Sequence, residues 1–295
     1  MRKKKARADA SPASWGSWQS SGYAASMRIM MSDVSTIGVL GGMGPEATNR
    51  LCALITALTP AAGDQDHIPV ITYNNSLIPE RVGATNGKTE SPVPEMVRTA
   101  RILEQAGAQM LLMPCNLAHH FIREVRAGVR IPVLDMIEET VNFAVTQYPQ
   151  LRKVGLLAST PTVKLGLYEK SFAKQGRVVL SPSVREQEAK VMEAIYGKRG
   201  IKSGSKTGPR ILLMEAARQL VAKGAELIIA GCTEISLVLK PRGVPFVIID
   251  PLEVVARVAV ERAISGDVRC SPGLDSHAVR SSRDRRARAA VRQGG

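Results

Sequence analysis

The chain has 295 residues, 44 % hydrophobic and 4 % aromatic, enough for a sizeable aliphatic core in one large or two medium domains. It holds no apolar run long enough to span a bilayer. Its four cysteines form no C-x-x-C pair, which argues against a disulfide framework and for reduced thiols in the cytoplasm. The net charge of +14 gathers at the ends, +4 in residues 1–33 and +4 in 266–295, which favours solvated tails over a nucleic-acid partner.

Residues 1–33 show no period and read as a disordered basic leader. Met1-Arg-Lys-Lys-Lys5 resembles a signal-peptide start, but no apolar segment follows, and Met27, Met30 and Met31 offer alternative starts. Ser35–Leu40 then predicts a buried strand and Gly41-Gly-Met-Gly44 a turn. Pro45 opens a helix to about Leu58, with Glu46 in its first turn to suit the dipole. A strand over 68–73 follows, then a polar loop through Arg81, a helix over 95–106, a strand over 110–114 and helical residues 118–127. A short strand over 131–134 and a helix over 136–147 complete this half.

At Lys153 the pattern restarts. Strands are predicted over 153–158, 177–180, 227–230 and 244–249, with helices starting at Ser159-Thr160-Pro161 and over 184–198, 211–223 and 251–264. Gly200–Gly204 reads as a mobile loop. Gly155 stands as far beyond Gly38 as Cys232 stands beyond Cys115, 117 residues in each case. Strands alternating with helices of 10–15 residues mean parallel βα units, and the repeated offset means two of them. The expected fold is α/β, with two pseudo-symmetric parallel-sheet lobes and a cleft between. The lobes are read as 34–132 and 133–249. A helix over 250–265 packs back on the first, and a disordered basic tail covers 266–295.

Cys115 and Cys232 each end a buried apolar run at the C-terminal edge of a strand, where open α/β sheets bind ligands. A lone cysteine is usually a small buried hydrophobe; two at duplicated positions point to chemistry. Both are expected at helix N-termini, where the dipole would lower the thiol pKa. A thiolate facing a thiol suits moving a proton from one face of a carbon to the other. A disulfide and a metal site are competing uses. Gly42-Met-Gly44-Pro-Glu-Ala47 formally matches a dinucleotide fingerprint, but the second strand ends in Tyr73-Asn74-Asn75, without the acidic residue that binds ribose. A helix N-terminus cradling a small carboxylate is the better reading. Arg81 offers a bidentate fork for a carboxylate. His119, four residues beyond Cys115, is either structural or tunes the thiol. Cys52 and Cys270 have no counterpart at the repeated offset and read as a helix-face and a tail residue.

Ile37-Gly-Val-Leu-Gly-Gly-Met-Gly-Pro-Glu-Ala-Thr48, Pro114-Cys-Asn-Leu-Ala-His119 and Gly231-Cys-Thr-Glu-Ile235 together resemble the aspartate/glutamate racemase family, in its aspartate racemase branch. The resemblance covers about residues 34–265. It implies two α/β lobes, a homodimer and no cofactor, pyridoxal phosphate included. It also implies a two-base racemisation of aspartate or glutamate by Cys115 and Cys232. By the same resemblance Met43, Arg81, Asn116, Leu117, Lys202 and Thr233 bind a small dicarboxylic amino acid; no metal is implied. Leu117 departs from the threonine usual there, and Glu234 matches aspartate rather than glutamate racemases. The rival readings are an isomerase or decarboxylase of another small acid, and a non-catalytic carboxylate- or dinucleotide-binding protein.

Overall fold

The computed structural model describes residues 34–240 and 243–267. The expected leader, all but the first two residues of the expected tail, and Cys270 lie outside them.

The architecture is α/β with two parallel sheets. In the first, β1 (Ile37–Gly41) lies between β2 (Val70–Asn74) and β3 (Met110–Leu112), and Val133 adds one parallel bridge to Leu111. In the second, β4 (Lys153–Ala158) lies between β5 (Val178–Leu180) and β6 (Leu227–Gly231), with β7 (Ile248–Ile249) beside β6. Strand order is therefore the same in both. β1 and β6 are buried along their whole length. That burial on both faces explains their continuous aliphatic runs, since helices cover a parallel sheet on each side.

The repetition reaches single contacts. Gly38 pairs with Leu111, and Gly155 with Ile228. A Cβ on Gly38 would lie 2.6 Å from Leu111 Cδ2 and 2.7 Å from Ala108 Cβ; on Gly155 it would lie 2.5 Å from Ile228 Cδ1 and 3.1 Å from Ala225 Cβ. Glycine is thus required at both sites by the same crowding: a branched residue of the next strand and the alanine after a helix end.

The helix Pro45–Leu58 buries Ala47, Thr48, Leu51 and Ile55, a stripe at helical spacing. Leu51 and Ile55 pack with Ile37 and Val39 of β1 and with Leu252, Val255 and Ala259 of the helix Pro251–Ser265. Val254 of that last helix reaches instead into the core formed by Ile137, Val141 and β4, and Val258 packs against both cores. Asp250 pins the junction. It caps the helix through Leu252 N–H (3.0 Å), accepts from the Ser236 hydroxyl (2.6 Å) and pairs with Arg50 (2.7 Å).

Several expected elements change. The strand over 131–134 reduces to the bridge at Val133, flanked by Pro132, which has no N–H to extend a ladder. The run 244–249 contains Pro245 and pairs only at Ile248–Ile249. The helix over 184–198 ends at Tyr196 and carries a π-helical stretch, Gln187–Met192. The loop at Gly200–Gly204 holds a 3-10 turn, Ile201–Ser203, anchored by buried Ile201. A helix over Leu167–Lys174, not singled out from the sequence, supplies the buried aromatics Tyr168 and Phe172. Among the described residues no helix is long and apolar enough to cross a membrane.

Candidate active site

Beyond the C-terminal edge of β3 the chain runs through Met113 and Pro114 to Cys115; Cys232 directly follows β6. Both are nearly buried, at 8 % and 9 % exposure, and both line one cavity of about 310 Å³. That is the size class of a small-ligand site. Asn116, Leu117 and Thr233 line it beside the cysteines, and Met43, Arg81 and Lys202 complete the set expected from the sequence.

Arg81 opens a short helix, Arg81–Ala84. Its guanidinium donates to the carbonyls of Ile78 (3.3 Å) and Pro79 (3.0 Å), and to that of Met43 in the glycine turn (3.1 Å). These partners carry no charge, and Arg81 Nε is buried without a partner. Asn116 has the same property. Its Oδ1 accepts from the Tyr168 hydroxyl at 2.5 Å, which turns the amide so that Nδ2, also buried, is unpaired. Each such donor costs about 1–3 kcal/mol until it meets an acceptor.

His119 faces away from this chemistry. Its Nε2 accepts from Met136 N–H at 3.0 Å, so the proton lies on Nδ1, which donates to the Cys115 carbonyl at 2.9 Å. The ring thereby ties the Cys115 backbone to the start of the helix Met136–Gln147. Of the two sequence-level readings of His119, this is the structural one.

Cys232 sits in a charged network. Its S–H donates to Glu234 Oε2 at 3.0 Å, the Thr233 hydroxyl donates to the same oxygen at 3.2 Å, and Lys202 Nζ pairs with Oε1 at 2.5 Å. Burial pushes the Cys232 thiol well above its ordinary pKa, and the Glu234 charge adds to the shift. Burial also pushes Glu234 up, but the Lys202 charge and the hydrogen bonds from Cys232 and Lys202 outweigh it and hold the carboxyl below its usual range. Burial alone would lower the Lys202 pKa; the Glu234 partner raises it instead.

The expectation that helix dipoles lower both thiol pKa values fails at Cys232. The helix there is a single turn, Ile235–Val238, too short to offset burial beside a carboxylate. After Cys115 there is only the 3-10 turn Leu117–Phe121. The glycine turn also differs from an open anion cradle. Gly42 N–H is taken by the Thr48 hydroxyl at 3.0 Å, and a Cβ on Gly44 would lie 3.6 Å from Glu234 Oε1 and 3.8 Å from Lys202 Nζ. The carboxylate nearest that helix N-terminus is the protein's own.

The cavity also includes residues that sequence reasoning missed: Glu80, Val82, Ser159, Thr162 and Tyr196. Ser159 stands at the duplicated position of Gly42, so the repeat itself could have found it. Glu80 neighbours Arg81, and its carboxylate caps that short helix through Gly83 N–H. Tyr196, 41 % exposed, carried no signal; it places its ring 5.6 Å from Lys202 Nζ. Among the described residues no three His, Cys, Asp or Glu side chains gather as a metal site.

The Asp/Glu/Hydantoin racemase family model matches residues 40–259. The chain is 24 % identical over 209 residues, 69 % of its own length and 87 % of the relative's, to the broad specificity amino-acid racemase RacX of Bacillus subtilis (strain 168). The structure of Picrophilus torridus aspartate racemase superposes with a TM-score of 0.65 at 24 % identity, covering 80 % of this chain and 100 % of that one. Glutamate racemase from Francisella tularensis subsp. tularensis SCHU S4, in complex with D-glutamate, superposes at 0.55 and 17 % identity, covering 82 % and 85 %. At those identities the two structures establish the shared fold. With the family model spanning well over half of its length, the chain belongs to the Asp/Glu/Hydantoin racemase family and is an enzyme of the isomerase class.

Proposed function

We propose that this enzyme racemises an acidic amino acid, aspartate first and glutamate second, without a cofactor, one of Cys115 and Cys232 taking the Cα proton and the other returning a proton to the opposite face. One sulfur, as thiolate, removes the Cα proton; the other, as thiol, delivers one to the opposite face. The Cα proton of an amino acid is weakly acidic, so the negative charge that spreads onto the α-carboxylate must be held. Asn116 Nδ2 and the Arg81 guanidinium are donors suited to that task in a cavity this enclosed. Met43, Leu117 and Thr233 shape the walls, and Lys202 is the second cation within reach of a side-chain carboxylate.

One observation carries the reading: the two cysteines at equivalent strand ends line the same cavity as two buried donors that lack protein partners. The test is chiral chromatography of L-aspartate and L-glutamate incubated with purified enzyme, with deuterium incorporation at Cα as a second readout. Cys115→Ser and Cys232→Ser should each lower racemisation by about 10²-fold or more, the usual scale for losing a positioned acid or base. Wild-type rates in either variant would sink the two-cysteine mechanism.

A second reading has its own support. Lys202 is already engaged by Glu234, and Leu117 adds apolar surface. Arg81 then serves a single carboxylate, and neutral amino acids become substrates, in keeping with the name of the Bacillus relative. Faster turnover of neutral L-amino acids than of L-aspartate would select this reading.

A further inference from the structure

Two residues beyond each cysteine the lobes part company. The first places Leu117 there, the second Glu234, at the same duplicated position. Glu234 is 7 % exposed and touches the Cys232 sulfur directly, while Lys202 holds its other oxygen. The charged and titratable groups around Cys232 come from several elements. Lys202 lies on the turn Ile201–Ser203, Tyr196 at the end of the preceding helix, Tyr168 on Leu167–Lys174, and Cys115 across the cavity, with Arg81 facing Tyr196. Lys202 opposes Glu234 electrostatically at the sulfur, but the carboxylate alone is in hydrogen-bond contact with it.

Resting on the racemase reading of this cavity, we infer that Glu234 is a positioning residue that holds the proton on Cys232. Of the two one-thiolate forms that a two-base reaction uses, the one with its charge on Cys232, against the Glu234 carboxylate, is then disfavoured. In the forward step the Cα–H proton passes to the Cys115 sulfur, and its electron pair is held as the enediolate. The Cys232 S–H proton passes to the opposite face. The products are a Cys115 thiol and a Cys232 thiolate, and proton exchange with water restores the starting pair. The second form places a thiolate against the Glu234 carboxylate and is the less populated.

The two enantiomers therefore meet unequal enzymes. The one whose Cα–H faces Cys115 binds the abundant form and has the lower KM. It also has the lower kcat, because its chemistry ends with the thiolate beside Glu234. Interconverting enantiomers have an equilibrium constant of one, so kcat/KM is the same in both directions and the asymmetry appears only as a split of kcat against KM.

The test is alkylation of Cys232 by iodoacetamide across pH, without substrate, read on the Cys232 peptide by mass spectrometry. Glu234→Gln should lower the pH midpoint by about one unit or more, the scale for removing a charge in contact, and should narrow the KM split between enantiomers. Lys202→Gln should raise the midpoint, since it leaves Glu234 uncompensated. If Glu234→Gln does not fold, Glu234→Asp carries the test: its shorter side chain draws the carboxylate back from the sulfur, so the midpoint should fall, and a midpoint that does not fall overturns the assignment. An unmoved or rising midpoint in folded Glu234→Gln also overturns it. The two readings fail separately: racemisation with unmoved midpoints sinks this assignment, whereas shifted midpoints in a protein that racemises no amino acid sink the racemase reading.

Discussion

The environments of Cys115 and Cys232 differ more than their positions do. Beside the first-lobe cysteine, His119 holds the backbone carbonyl, Tyr168 fixes Asn116, and Leu117 forms an apolar wall. The second-lobe thiol contacts a carboxylate that is itself paired with a lysine. Duplication reproduced the backbone path and the sulfur position, because these follow from strand register and the Gly38 and Gly155 contacts. It did not reproduce the electrostatics, because one side chain after each cysteine is free to diverge without disturbing the sheet. A stereocentre needs an acid or base on each side; it does not need the two to be alike.

The sharpest way to break the comparison is His119→Ala. It strips partners from two buried backbone groups, the Cys115 carbonyl and Met136 N–H, at about 1–3 kcal/mol each. Thermal denaturation should show a loss of about 2–6 kcal/mol, and racemisation should fall with it. Native-like stability would mean that this anchor is dispensable. A change at the second thiol should act through pH instead. A raised thiol pKa in the fold contributes stability that is complete below the unfolded value, about 8.5, and is lost as pH climbs towards the folded value. Between pH 7 and pH 10, Cys232→Ser should therefore lose about 1–2 kcal/mol less than wild type in denaturant titrations. Equal losses would argue that Cys232 titrates normally.

Tyr168→Phe probes the neutral side more gently. It removes the hydroxyl that orients Asn116, so kcat/KM should drop about tenfold, equivalent to about 1.4 kcal/mol, while the Cys232 alkylation midpoint stays put. A shifted midpoint would show that Tyr168 acts on the second thiol instead. The smallest effect is expected from Leu117→Thr, which replaces apolar surface by a hydroxyl in the cavity wall. Relative rates on aspartate and a neutral amino acid should change by a few-fold towards aspartate, within the roughly 1 kcal/mol that a single neutral hydrogen bond contributes. An unchanged ratio would remove Leu117 from the specificity account.

Much of this was legible in the chain itself. The aliphatic runs at Ile37–Leu40 and Val154–Ala158 mark central strands, since only a strand buried on both faces is apolar at every position. The restart at Lys153 and the two cysteines at one offset set the duplication and pointed to a shared cleft, and the eight residues picked from motifs all line one cavity. The shortened strands at Val133 and Ile248 were harder to see: proline interrupts each run, and pairing depends on the neighbour it meets.

What only the tertiary structure decided are contacts between side chains far apart in the chain. Lys202 meets Glu234 across 32 residues, and Tyr168 meets Asn116 across 52. Tyr196 enters the cavity because its helix ends there. Periodicity encodes which face of an element is buried, since that depends on local spacing alone. Which polar group on that face meets which partner is set by how the elements pack. Arg81, whose partners are uncharged carbonyls, and Lys202, already paired, therefore looked alike as loop cations and differ in the fold.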